Sequence, residues 1–333
     1  MRLPHQLLSS LTLCAGDPEH LIAALGRVCD DDERREIRRL VEMGLPPVTS
    51  EAALAVLTGY NRGFIWSLVH QSDKHYRVFR VAKGRGWRQI ESPRVGLKFI
   101  QKWLSIHVSE RHFPLDAVHG FVPGRSHITA AQKHLNAEWV VSMDIEDFFP
   151  STNLSAIRSG LQKIGYVSEA ALSTIERICS FHGRLSQGAP TSPLIANLCM
   201  SATDARLAAI ASEKSATFTR YADDIVFSGK GDPPDGLVEA ISAAFEGTPW
   251  RINRAKTKVS VAPARLKVHG LLVHGERLRL TKGYRNRVRA ISHLVAHGRV
   301  PAERLAEAVG HLGYSAQIDR VNAKEVGQGP KAL

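Results

Sequence analysis

Residues 217–229 read TFTRYADDIVFSG. Phe218 and Tyr221, set among β-branched threonines, precede two adjacent acids. Ile225, Val226 and Phe227 follow them, and Gly229 closes the run. The pattern predicts a β-hairpin with Asp223 and Asp224 at its tip. Carboxylates held that close raise each other's pKa. A divalent cation relieves the cost by taking both as ionised oxygen ligands. An acidic turn without a ligand is the plainer alternative, so the stretch needs partners elsewhere in the chain.

Upstream, EWVVSM (138–143) has the pattern of a buried strand and delivers Asp144 at its end, followed by Asp147, Phe148, Phe149 and Pro150. Asp144 is a second candidate metal ligand; the alternative is an Asp that caps the next turn. Between the acidic sites lies LSQGAPTSP (185–193), a polar loop that opens a helix over 193–211. Such a loop can set backbone N–H groups against a base or a phosphate. Three carboxylates from non-adjacent strands would hold two Mg²⁺ ions about 3.5–4 Å apart, serving the attacking and leaving oxygens of phosphoryl transfer.

Further upstream, residues 76–82 predict a strand, Lys83-Gly84-Arg85-Gly86 a basic turn and 87–90 the return strand. A hairpin tipped with Lys and Arg suits a grip on phosphates; an exposed hairpin with solubilising charge fits equally well. AVHGFVPGRS (117–126) is a Gly/Pro loop carrying Phe121 and Arg125, and a helix over 128–135 follows. At the N-terminal end, Asp17-Pro18-Glu19 opens a helix. A second helix turns Ile37, Leu40 and Val41 inward. Its Arg34, Arg35, Arg38 and Arg39 lie beside Asp30–Glu33, which favours a salt-bridged face over an RNA contact.

Downstream come a helix over 233–245, a strand over 259–261, and a hairpin of 267–273 with 277–280 around His274-Gly275. In the helix after it, Val288, Ile291 and Val295 share one face and Lys282, Arg285 and Arg289 another. The basic face suits a nucleic-acid backbone.

The composition agrees. The chain has 333 residues, enough for two or three packed regions, and a net charge of +12, which favours a polyanionic partner. Four cysteines form no CxxC pair and fifteen histidines no HExxH motif. Free thiols in a reducing compartment are expected. No apolar run of membrane length and no signal peptide are evident, so a cytoplasmic protein with no membrane partner is expected.

Taken in order, these motifs resemble a reverse transcriptase, most closely the retron type, over roughly residues 45–320. WRQIESP and LKFIQKWL (within 87–104) resemble the first fingers block, and HGFVPGRS (119–126) the second. VVSMDIEDFFP (140–150) resembles the motif of the first catalytic Asp. LSQGAPTSPLIANL (185–198) resembles the template and nucleotide loop, and RYADD (220–224) the Tyr-x-Asp-Asp box. INRAKT (252–257) resembles the Asn-x-x-Lys-Thr block, and VHGLLV (268–273) the primer-grip hairpin.

The resemblance implies an α+β right-hand polymerase with fingers, a ferredoxin-like palm and a short helical thumb. Its expected parts are an N-terminal helical extension (1–48), fingers (49–139), palm (140–265, with fingers/palm helices over 152–184), and primer grip and thumb (266–333). It implies that Asp144, Asp223 and Asp224 are the catalytic metal ligands, joined by the Ile145 carbonyl, and that two Mg²⁺ ions bind there, with Mn²⁺ as a substitute. Arg88 and, secondarily, Lys83 would hold the triphosphate. Phe149 would be the steric gate against a 2′-OH, Phe148 its core-packed neighbour, and Gln187 would face the nucleotide. Lys256 would donate a proton to the leaving pyrophosphate or else form a structural salt bridge. Arg125, Tyr221, Lys282, Arg285 and Arg289 would touch nucleic acid.

The partners so implied are dNTPs, a structured non-coding RNA of the msr–msd type as template and primer, an RNA–DNA hybrid product and an effector protein. The product would be msDNA used in anti-phage defence. Group II intron-like, CRISPR-associated and abortive-infection reverse transcriptases are the neighbouring alternatives, and a non-catalytic RNA-binding scaffold is the alternative of another class. Two elements depart from the family pattern. Asn-Ala-x-x-His reads Ala130-Ala131-Gln132-Lys133-His134 here, and Val-Thr-Gly reads Val268-His269-Gly270. The resemblance assigns both segments to recognition of the partner RNA.

Overall fold

The computed structural model describes residues 17–84 and 86–326. Cys14, Arg85 in the basic turn and the expected fraying of Gly327–Leu333 lie outside the described residues. The chain forms two units. The first comprises residues up to Leu115, Glu146–Ala205 and Phe245–Arg251; the second comprises Asp116–Ile145, Arg206–Ala244 and residues from Ile252 onward.

The first unit begins with helices α1 (Pro18–Leu25), α2 (Asp31–Glu42), α3 (Glu51–Thr58) and α4 (Arg62–His70). Asp17 caps α1 by accepting from the Glu19 and His20 amides, with Pro18 at the first position. The arginines of α2 are paired, Arg34 with Asp31, Arg35 with Asp32, Arg38 with Glu19 and Arg39 with Glu36. That is the salt-bridged face the acidic neighbours favoured. Strands β1 (Tyr76–Lys83) and β2 (Gly86–Pro93) then pair from Tyr76↔Pro93 to Lys83↔Gly86. Helices α5 (Val95–Ser109), α7 (Phe148–Ser151), α8 (Leu154–Ile164) and α9 (Glu169–Cys179) also belong to this unit. Cys29, Cys179 and Cys199 are buried free thiols.

Helix α10 (Ser192–Glu213) corrects one expectation. Its 22 residues are long and apolar enough to cross a membrane by length and composition, although 61% of its most apolar window is buried inside the protein. That burial is the behaviour of a core helix, in which apolar side chains face packing partners on several sides.

The second unit holds α6 (His127–Gln132) and a four-stranded antiparallel sheet of β3 (Trp139–Asp144), β4 (Thr217–Tyr221), β5 (Asp224–Gly229) and β6 (Lys258–Val261), in the order β4-β5-β3-β6. Helices lie between β3 and β4, and α11 (Leu237–Ala243) between β5 and β6. The succession and the strand order are those of a ferredoxin-like βαββαβ sheet. β3 and β5 are buried because they are the two central strands, which explains the continuous apolar runs VVSM and IVF.

A small sheet, β7 (Lys267–Val268), β8 (Leu271–Leu272) and β9 (Arg279–Leu280), replaces the two-stranded hairpin expected around His274. His269 (φ 48°) and Gly270 (φ 84°) make a two-residue turn that splits the run 267–273. Positive φ at both turn positions is the type I′ geometry, which matches the strand twist, and a histidine there hides the signal. Helices α12 (Lys282–Ala296) and α13 (Ala302–Val326) end the described chain. A core of Ile128, Val140, Val226, Leu266, Leu271, Leu278 and Ile318 joins α6, both sheets and α13, with Tyr284 and Tyr314 packed against it.

Candidate active site

Register brings the acids together. Asp144, the last residue of β3, lies directly opposite Asp224, the first residue of β5, and Asp224 lies opposite Tyr221, the last residue of β4. Residues directly opposite in antiparallel strands share a face. Tyr221, Asp224 and Asp144 therefore form a row across three strands. Asp223 lies in the turn, and its carbonyl accepts from the Ile145 amide at 2.9 Å. The Asn253 amide donates to the Asp144 carbonyl at 2.8 Å. The backbone at 144–145 is thus pinned from both sides.

The turn itself is strained. Ala222 has φ 58°, in the left-handed region that costs a non-glycine residue energy. Two features hold it there. The buried Arg220 guanidinium donates to the Ala222 carbonyl at 3.0 Å. The loop at 117–120 lies alongside, with the His119 amide donating to the Arg220 carbonyl at 2.8 Å. A Cβ on Gly120 would stand 2.2 Å from the Ala222 amide nitrogen, so only glycine permits this approach.

The charge of the site is mostly oxygen. Lys256 Nζ donates to Asp144 Oδ2 at 2.7 Å. That hydrogen bond is the main cause raising the Lys256 pKa, and the charges of Asp144, Asp223 and Asp224 add to it. An ammonium thus rests in the combined field of all three carboxylates. Among the described residues no three His, Cys, Asp or Glu side chains close into a ready-made metal cage. The donors are carboxylates and carbonyls, hard oxygens suited to Mg²⁺ or Mn²⁺, and the ammonium marks where positive charge is held.

In the first unit, a second group assembles around β2. The Glu91 amide donates to the Gln187 carbonyl at 3.0 Å. Arg184 forks onto the buried Glu91 carboxylate at 2.7 and 3.1 Å. Gly188 (φ 140°) packs so closely that a Cβ would be 2.9 Å from the Glu91 carbonyl oxygen. The loop carrying Gln187 is thereby fastened to the strand carrying Arg88.

With this geometry in view, the comparisons decide the family. The profile of the reverse transcriptase (RNA-dependent DNA polymerase) family matches residues 81–290. The chain belongs to the reverse transcriptase family. It is an RNA-directed DNA polymerase. It is 32% identical to the retron Mx65 reverse transcriptase of Myxococcus xanthus, over 86% of this chain and 73% of that protein. It is 28% identical to the retron Ec86 reverse transcriptase of Escherichia coli, over 84% of this chain and 88% of that protein. Among solved structures, telomerase from Candida albicans, in complex with a fragment of telomeric RNA, aligns with a TM-score of 0.46 at 10% identity, over 66% of this chain and 50% of that one.

The remaining residues of this reverse transcriptase singled out from sequence fall as follows. Lys83 is exposed at the end of β1, and Arg88 is half-buried in β2. Phe148 is buried while Phe149, 5.3 Å away between ring centroids, is half-buried. Arg125 is engaged within its own loop, donating to the Val118 carbonyl at 2.7 Å and to Asp116 at 2.9 Å. Lys282, Arg285 and Arg289 are exposed on α12, and the two arginines line a cleft of about 380 Å³ with Arg277, Arg279 and Asp319.

Within the segment Ala130–His134, His134 turns inward. It is 1% exposed, with ring nitrogens 2.7 Å from both Ser228 Oγ and Thr219 Oγ1. It bolts the sheet together and has no surface to offer an RNA. His269, noted in the sequence only as a departure in a segment assigned to RNA recognition, faces Asp224 Oδ2 through Nδ1 at 3.6 Å. Sequence reasoning missed Gly120, Arg220 and the Glu91–Arg184 pair. Only Gly120 carried a local signal, as a glycine in a loop rich in glycine and proline.

Proposed function

We propose that this reverse transcriptase copies a structured non-coding RNA into single-stranded DNA of the msDNA type, in a retron serving anti-phage defence in the cytoplasm. The row of Asp144 and Asp224 in register, with Asp223 in the adjoining turn, carries the catalytic half of the reading. The retron names of its relatives support the other half.

Asp144, Asp223, Asp224 and the Ile145 carbonyl are the residues that would hold two Mg²⁺ ions. When bound, such ions lower the pKa of the attacking hydroxyl and neutralise the triphosphate. The chain's own side chains do the rest. Arg88, with Lys83, grips the β- and γ-phosphates. Gln187 faces the nucleotide from the loop fastened to β2. The half-buried Phe149 lies under the sugar and excludes a 2′-OH, the more exposed of the two rings being the one able to meet substrate. Lys256 delivers a proton to the departing pyrophosphate. Tyr221 and Arg125 contact the nucleic acid near the hairpin, and Lys282, Arg285 and Arg289 contact its backbone, as a net charge of +12 favours. In the fingers, palm and thumb division, the β1–β2 hairpin is the fingers, the four-stranded sheet the palm and α12–α13 the thumb.

The deciding experiment supplies a primed RNA template, dNTPs and Mg²⁺ to the purified protein and its Asp223→Ala variant. Wild type extends the primer; the variant binds RNA equally and adds no nucleotide. Tight RNA binding by a wild type that never extends would instead identify a non-catalytic scaffold. Sequencing the nucleic acid that co-purifies with the protein tests the retron assignment: a branched RNA–DNA molecule supports it, and its absence in favour of other RNA removes it.

A further inference from the structure

The ring of Tyr221 is boxed by aromatic side chains that the sheet itself does not supply. It meets His269, with centroids 5.3 Å apart and planes at 55°. It also meets His127 in an edge-to-face pair at 6.1 Å and 81°. His127, the first residue of α6, is stacked on Tyr314 of α13 at 5.5 Å and 26°. Its Nε2 lies 3.0 Å from the Tyr314 hydroxyl. Tyr314 in turn meets Tyr284 of α12 edge-on at 5.8 Å and 85°, and the Tyr284 hydroxyl lies 2.7 Å from His311 Nδ1.

These contacts make one unbroken file of rings. It begins between α12 and α13, passes through His127 and Tyr221, and ends at His269, whose 7%-exposed side chain faces the Asp224 carboxylate. Stacked and edge-to-face pairs attract beyond the area they bury, and each constrains the tilt of its neighbour. Burial pushes the His127 pKa down and the Tyr314 pKa up. Both partners are therefore neutral near pH 7, and their bond places no charge beside the acids. Tyr221 shares the face of Asp224 and stands one strand away. The tilt of its ring therefore bears on the side chain directly opposite it, and His269 lines a cleft together with Asp224.

We propose that His127 and Tyr314 are positioning residues for the catalytic hairpin. Packed behind Tyr221, they hold its ring, and with His269 the Asp224 carboxylate, in the attitude that nucleotide addition requires. Helix α13 is thereby fastened to the turn that carries Asp223. The inference rests on the polymerase reading. It concerns residues that themselves touch neither substrate nor metal, so its signature is a loss in the rate of addition that exceeds any change in the grip that Tyr221 contributes.

The test is single-turnover addition of one dNTP to a pre-bound primer–template, with primer–template Kd measured separately and folding followed by thermal unfolding. Tyr314→Ala is expected to slow addition by about tenfold, and Tyr314→Phe, which keeps the stack and loses only the hydroxyl, by about threefold. In both, Kd stays within about twofold of wild type. The double variant with His127→Ala costs no more than the larger single loss, because both act through the same ring. Should Tyr314→Ala fail to fold, Tyr314→Phe and His127→Ala decide. Unchanged addition rates, losses confined to Kd, or fully additive losses would overturn the proposal. Extension by wild type in the same assay tests the polymerase reading separately.

Discussion

The Lys256 ammonium occupies Asp144: Nζ to Oδ2 is 2.7 Å, in a field to which Asp223 and Asp224 also contribute. A cation bound by the carboxylates must therefore displace it or share Asp144 with it. Removing the ammonium removes a competitor and deepens the negative potential. Lys256→Met is expected to shift the midpoint of a Mn²⁺ titration to about threefold lower concentration, while maximal addition slows by about tenfold, as the proposed role of Lys256 as proton donor requires. Spin-resonance titration of Mn²⁺ and single-turnover kinetics read the two arms. An unchanged midpoint would mean that the ion pair does not compete with metal.

Gly120 approaches the turn at Ala222 by backbone alone. In Gly120→Ala the new Cβ would fall 2.2 Å from the Ala222 nitrogen and 3.0 Å from the Tyr221 carbonyl carbon, and neither backbone atom can move aside cheaply. A loss of about 1–3 kcal/mol of stability is expected, with addition slowed at least tenfold as the turn shifts. Gly124→Ala is the control: nothing lies within 4 Å of its Cβ, so only the cost of φ 76° is felt, about 1 kcal/mol. Denaturant unfolding and the extension assay compare them.

The Glu91–Arg184 fork fastens the loop that carries Gln187 to β2. Arg184→Met leaves the buried Glu91 carboxylate, 2% exposed, with the neutral Gln89 amide in place of a charged partner, and a buried pair that loses one member costs about 3–5 kcal/mol. Glu91→Gln is milder because the amide still accepts. In both variants the dNTP KM is expected to rise more than the RNA Kd, since Gln187 and Arg88 lose their common anchor. Equal rises in the two constants would argue for general unfolding.

The two adjacent phenylalanines should separate by substitution. Phe149→Val is expected to raise rNTP use relative to dNTP by roughly tenfold to a hundredfold. Phe148→Leu, at a buried ring, should lower stability and leave sugar choice alone. Unaltered discrimination in Phe149→Val would remove Phe149 from the gate.

Acid should loosen the sheet through His134. Burial pushes its pKa down to about 3, far below the 6.5 of an unperturbed histidine. The unfolded chain therefore binds a proton between those values that the folded chain refuses. The stability His134 permits is complete above pH 6.5 and falls on acidification toward pH 3, by about 1.4 kcal/mol per pH unit within that window. His119, pushed down to about 4 chiefly by burial and also by Arg125, adds to the slope. His134→Asn is expected to be less stable at pH 7.5, where Ser228 and Thr219 lose their partner. It should also show a flatter decline between pH 6 and pH 4 in urea unfolding. An identical slope would place the acid sensitivity elsewhere.

Much of the fold was legible where one physical signal dominates locally. Asp17-Pro18-Glu19 opens a helix because the cap and the proline act on adjacent residues. VVSM read as a buried strand and IVF as the second arm of a hairpin, and both proved to be central strands buried on both faces. Phe148 and Phe149 divided into core and half-exposed rings as expected. Elsewhere the signal was masked. Helix α13 carries Gly310 and Gly313 in its interior, which weakens any local helical pattern, and tertiary packing overrides that weakness. His269 sits at a turn position where glycine or asparagine would have been recognisable, so the run 267–273 read as one strand.

The amino-acid order alone determined that three acids, a Tyr-x-Asp-Asp box and a Gln-Gly loop occur in a polymerase succession, because those residue types announce their chemistry wherever they stand. Only the tertiary structure decided that Asp224 faces Asp144 in register, that Lys256 rests on Asp144, that His134 turns inward, and that Tyr314 reaches Tyr221 through His127. These are matters of strand register and of packing between segments as much as 187 residues apart. Local periodicity carries no information about which distant surfaces will meet, because that choice is made by the burial of the whole core.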